Sequence, residues 1–99
     1  MSGEGLIAEP RAVHAGLGHA RLAELMHRGT EFLGCTHAIM GGAMSWVSER
    51  HLVSAISNAG GFGVIACGAM TPELLDTEIA ETKSRTARPF GVNLITMHP

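Results

Sequence analysis

Ninety-nine residues, 45% of them apolar, bound the chain at one small domain and argue against intrinsic disorder. A net charge of −2, with seven scattered Lys and Arg, shows no nucleic-acid footprint, and no apolar run approaches the length needed to span a bilayer. Cys35 and Cys67 lie far apart without a C-x-x-C partner, and Met1-Ser2-Gly3-Glu4 has neither a basic n-region nor an apolar h-region, so the chain reads as a cytoplasmic protein with free thiols and no signal peptide.

Residues 1–30 are expected to form a variable N-terminal arm, of which residues 1–20 carry a weak pattern and are expected to be poorly ordered. A short helix is expected over Ala20–Arg28, with Leu22, Leu25 and Met26 on one face and Gly29 ending it. From residue 31 the pattern sharpens. Phe32-Leu33-Gly34 leads to Ala38-Ile39-Met40, a first strand that ends at Gly41-Gly42-Ala43-Met44. Ser48 is the expected N-cap of the next helix, with Glu49 in its first turn. Leu52, Ala55, Ile56 and Ala59 share one face of that helix, widened by Val53.

Gly60-Gly61 then stops the helix, since a glycine takes the left-handed closing conformation at little cost. Val64-Ile65-Ala66-Cys67 reads as a second, buried strand. Thr71-Pro72 is a hydroxyl N-cap followed by proline at the first helical position. Glu73 and Asp76 near the start of that helix and Lys83 and Arg85 at its end match the macrodipole. Leu75 and Ile79 are its expected buried stripe, and Glu81 with Arg85 forms an i, i+4 pair. Pro89 ends it, and Phe90–Ile95 is the third strand.

The predicted order is β-α-β-α-β. Connections of this length, each with a helix, imply parallel neighbours. A spacing of roughly 25–28 residues per unit would give about 200–230 residues for eight units, the size of a (β/α)8 TIM barrel. Residues 31–99 are therefore expected to supply the first three strands and two helices of such a barrel, an incomplete portion of it.

In a parallel barrel the strand C-terminal ends carry the chemistry. The small residues Gly41-Gly42-Ala43-Met44 allow backbone to approach a ligand. Met44 has two readings, a core filler in a tight turn or a polarisable sulfur against an aromatic ring. Asn93, the polar residue of an apolar strand, also has two: a structural bond to loop backbone, or a donor and acceptor addressing a ligand. Cys67 has no neighbouring cation to activate it and reads as a small buried apolar residue. The six histidines show no metal-ligand spacing. Gly61-Phe62-Gly63-Val64-Ile65-Ala66 matches the letters G-x-G-x-x-A, but a helix precedes it and a strand follows, the reverse of a dinucleotide fingerprint.

Four segments together resemble a known family: Ile39-Met40-Gly41-Gly42-Ala43-Met44-Ser45-Trp46-Val47, Ala55-Ile56-Ser57-Asn58-Ala59-Gly60-Gly61-Phe62-Gly63-Val64-Ile65, Thr71-Pro72-Glu73 and Pro89-Phe90-Gly91-Val92-Asn93-Leu94. Their order and spacing are similar to the N-terminal third of nitronate monooxygenases, formerly 2-nitropropane dioxygenases. Flavin-type enoyl-acyl-carrier-protein reductases are similar over the same motifs. The resemblance implies an FMN-binding TIM barrel in which Gly42, Ala43, Met44 and Asn93 contact the flavin. It also implies an alkyl nitronate as substrate with molecular oxygen as oxidant, or, on the reductase side, an enoyl thioester with NAD(P)H. The family's catalytic histidine and phosphate-binding glycine loops belong to later barrel units, so no catalytic residue is expected within these residues.

Overall fold

The computed structural model describes residues 17–97, which form a mixed α/β unit of three helices and three parallel strands. In chain order these are α1 (Leu17–Leu33), β1 (Met40–Gly41), α2 (Arg50–Asn58), β2 (Phe62–Ile65), α3 (Pro72–Arg85) and β3 (Phe90–Val92). The strands lie side by side in the order β1-β2-β3, as the β-α-β-α-β reading anticipates. Met40 pairs with Phe62 and Gly41 with Gly63, and Gly63, Val64 and Ile65 pair with Phe90, Gly91 and Val92.

The helices differ from expectation in instructive ways. The first is longer than Ala20–Arg28: it runs from Leu17 through Gly29 and Thr30 to Leu33 and closes at Gly34, whose φ is +70°. Gly29 does not stop it, because its missing side chain instead lets Ala38 approach; an ideal Cβ there would lie 2.7 Å from Ala38 Cβ. The arm expected ahead of this helix, residues 1–16, lies outside the described residues.

Ser48 does not cap α2. Glu49 does, its carboxylate accepting from the N–H groups of His51 and Leu52 at 2.9 and 3.2 Å. The buried face of α2 is also rotated from the expected one: Val53, Ser54 and Ser57 are buried, whereas Ala55 and Ala59 are exposed. Ser57 can sit there because its hydroxyl is satisfied, donating to Pro89 O at 2.9 Å and accepting from Gly63 N at 3.1 Å. It thereby joins α2 to the starts of β2 and β3. Gly60 closes α2 at φ +103°, as anticipated, and its carbonyl accepts from the N–H groups of Thr36 and His37.

In α3, Thr71 caps and Pro72 opens the helix as expected, with Thr71 Oγ1 accepting from Leu74 N at 3.1 Å. Its buried positions are Glu78 and Thr82, while Leu75 and Ile79 are only half-buried. Glu78 is buried because Arg50 at the start of α2 encloses it, through its backbone N–H at 3.0 Å and its guanidinium at 2.7 Å. β2 has the expected length but begins two residues earlier, spanning Phe62–Ile65, whereas β1 is reduced to Met40–Gly41 and β3 stops at Val92. The apolar core consists of Val53, Ile65 and Ala66, where α2 lies on β2. Gly63 allows that approach; an ideal Cβ on it would lie 2.5 Å from Val53 O.

Candidate functional site

Parallel pairing sends the segments after all three strands to one side of the sheet. These are residues 42–49 after β1, 66–71 after β2 and 93–97 after β3. They converge: an ideal Cβ on Gly68 would collide with Ile95 Cδ1 and lie 3.8 Å from Ser45 Oγ. The Gly60-Gly61 turn is at the opposite end, where the strands begin.

The four residues singled out from the sequence all lie on this side. Gly42 and Ala43 are exposed, and an ideal Cβ on Gly42 would meet nothing within 4 Å. Met44 is 50% exposed, so it does not fill the core of these residues. Its N–H is committed internally, donating to Ser48 Oγ at 2.9 Å. What the loop leaves outward is therefore the open face of Gly42-Ala43 and the Met44 side chain. Asn93 is half-buried at the end of β3. Its N–H donates to Ile65 O at 2.9 Å, and its Oδ1 accepts from Cys67 N at 3.0 Å. The structural reading of Asn93 thus holds for its oxygen. Its Nδ2, with no acceptor among the described residues, remains a donor. Cys67 is half-buried, more open than expected.

Two further residues shape this loop. Ser48, expected as a helix cap, is a buried part of the β1 loop, its hydroxyl donating to Gly42 O at 3.0 Å. The adjacency of Ser48 and Glu49 was the available signal, since only one can cap the helix. Trp46 is 67% exposed and has φ +64°, a left-handed conformation uncommon for a residue with a large side chain.

Chemically, the one charged side chain in these segments is Glu49, whose carboxylate caps α2. Residues 42–47, 66–70 and 93–97 contain no Asp, Glu, Lys, Arg or His. Met44, Trp46, Val47, Leu94, Ile95 and Met97 expose large apolar side chains there. The arrangement suits a flat, uncharged ring system with polar edges: apolar side chains for its faces and an orientated amide donor for an edge. A flavin ring fits this description. A phosphate does not, because these segments offer no cation. Among the described residues no cluster of His, Cys, Asp and Glu has metal-binding geometry, and no helix is long and apolar enough to cross a membrane.

Comparison with known proteins bears on the same residues. The nitronate monooxygenase family model matches residues 27–99. The chain is 43% identical over 65 residues to the (3aS,4S,5R,7aS)-5-hydroxy-7a-methyl-1-oxo-octahydro-1H-indene-4-carboxyl-CoA dehydrogenase of Mycobacterium tuberculosis, covering 66% of this chain and 18% of that protein. It is 39% identical over 72 residues to a nitronate monooxygenase of Pseudomonas aeruginosa, covering 73% and 20% respectively. The structure of FabK from Thermotoga maritima superposes with a TM-score of 0.71 at 43% identity, over 73% of this chain and 23% of FabK. The chain thus spans between 18% and 20% of the length of these two curated relatives.

Proposed function

Because the chain belongs to the nitronate monooxygenase family, we propose that it forms the first three strands of an FMN-dependent TIM barrel that oxidises alkyl nitronates with molecular oxygen. The observation that carries this reading is the convergence of the three segments that follow the strands, with Asn93 Nδ2 left free on one of them. Gly42 and Ala43 would leave room for the ring, Met44 would lie against it, and Asn93 would donate to its edge. FMN, when bound, supplies the two-electron chemistry. Residues 42–47, 66–70 and 93–97 orientate the ring and keep water from it, and the phosphate requires cations or helix N-termini supplied by other barrel units. The two free cysteines support a cytoplasmic setting.

The assay is oxygen consumption by the assembled barrel. With an alkyl nitronate and no NAD(P)H, uptake is expected in proportion to bound FMN. A second reading, reaction of an acyl thioester, is favoured by a specific observation. The two relatives named as carboxyl-CoA dehydrogenases are 43% and 42% identical, against 32% to 40% for six relatives named as nitronate monooxygenases or probable nitronate monooxygenases. An uncharged apolar lining also suits an acyl group more directly than a nitronate anion. NAD(P)H oxidation on addition of an enoyl thioester, with no nitronate-dependent oxygen uptake, would decide for the second reading.

A further inference from the structure

The loop after β1 is held by one buried hydroxyl. Ser48 is 2% exposed, and its Oγ accepts from Met44 N at 2.9 Å while donating to Gly42 O at 3.0 Å. Its N–H closes the same turn, donating to Met44 O at 2.8 Å. Its carbonyl reaches the next strand, accepting from Ala66 N at 3.1 Å beyond the end of β2. The following N–H, that of Cys67, donates to Asn93 Oδ1. A run of hydrogen bonds and covalent backbone therefore leads from Gly42 and Met44, through Ser48 and Ala66-Cys67, to Asn93.

Capping does not account for this serine, because Glu49 caps α2. We infer that Ser48 is a positioning residue: it fixes the backbone of Gly42–Met44 and ties that loop to the Asn93 carboxamide, so that both meet one ligand in a set geometry. The ligand rests on the flavin reading above; the lock itself rests on the hydrogen bonds. Removing the hydroxyl leaves Met44 N–H and Gly42 O without these internal partners, and the loop gains alternatives that a ligand must then select against.

The test compares Ser48→Ala with Ser54→Ala in the complete barrel protein. Ser54 is also buried on α2, but its hydroxyl bonds only to Arg50 O and His51 O within the helix, so its loss controls for the general cost of deleting a buried hydroxyl. Three quantities are read: amide exchange at Met44 without flavin, FMN affinity by fluorescence quenching, and the midpoint potential of bound FMN. Ser48→Ala is expected to speed Met44 exchange and weaken FMN binding, each roughly tenfold, and to shift the potential, whereas Ser54→Ala moves none of these. Unchanged Met44 exchange in Ser48→Ala, or equal loss of FMN affinity in both variants, would overturn the inference. If the unsubstituted barrel takes up no FMN, the flavin reading fails, and Met44 exchange still decides whether Ser48 holds the loop.

Discussion

The orientation of the Asn93 carboxamide follows from its neighbour. Cys67 N–H is a donor, so Oδ1 must face it, and Nδ2 is turned to the other side. Two substitutions separate the two ends. Asn93→Asp keeps an acceptor for Cys67 and removes the free donor; it is expected to retain most of the stability while weakening FMN binding at least tenfold, roughly the value of one orientated polar contact. Asn93→Leu removes both and is expected to cost about 1–2 kcal/mol of stability as well, through the unpaired Cys67 N–H. Chemical denaturation and flavin titration of both variants check this, and equal stability losses would show that the Cys67 bond is not what Asn93 contributes. The glycines allow a similar contrast. Gly63→Ala drives a methyl into Val53 backbone and should cost about 1–3 kcal/mol, whereas Gly42→Ala enters open space and should leave the denaturation midpoint unchanged.

Between elements, Arg50 and Glu78 join α2 to α3. The Arg50 side-chain hydrogen bonds hold the Glu78 carboxyl below the ordinary glutamate range, against the opposing effect of burial. A carboxylate whose folded value is depressed binds its proton less readily folded than unfolded. Its contribution is thus present above the ordinary value of about 4.3 and is lost as pH falls through that value toward the lower folded one. Urea midpoints measured at pH 7 and at successively lower pH should fall for the native chain, and fall less for Glu78→Gln, which starts lower at pH 7. Glu81 follows the same sign, chiefly through its side-chain bond with Arg85. This pairing also marks the limit of reading elements from a sequence. Local signals survived: Thr71-Pro72 at the start of α3, Gly60 at the end of α2 and the Glu81–Arg85 pair are set by neighbours within a turn. The buried faces depart from the periodic ones because Ser57 and Glu78 are polar and become buriable only through partners 32 and 28 positions away. Periodicity weighs apolar residues and has no access to such partners. In the site, likewise, the small loop and lone asparagine are legible, but the Ser48 hydroxyl closes the loop after β1 on itself and in the sequence looks the same as a cap.

For the whole molecule, the balance of buried and exposed apolar surface sets the last expectation. Val53, Ile65 and Ala66 are the buried apolar side chains among the described residues, whereas Phe32, Ile39, Met40, Leu94 and Met97 are each at least 54% exposed. In this sheet β1 and β3 each have one neighbour, so both present an unpaired edge. A chain of this size recovers its conformational entropy only by burying most of its apolar surface, and a three-strand layer with so small a core does not. The 99-residue chain by itself should therefore melt without a cooperative transition, self-associate through its sheet edges, retain no FMN and show no turnover. Circular dichroism melting, analytical ultracentrifugation and the flavin absorbance of purified protein measure these directly. A monomer with a sharp thermal transition and one yellow FMN per chain would mean that the exposed apolar face is tolerated, and that three strands suffice for the site.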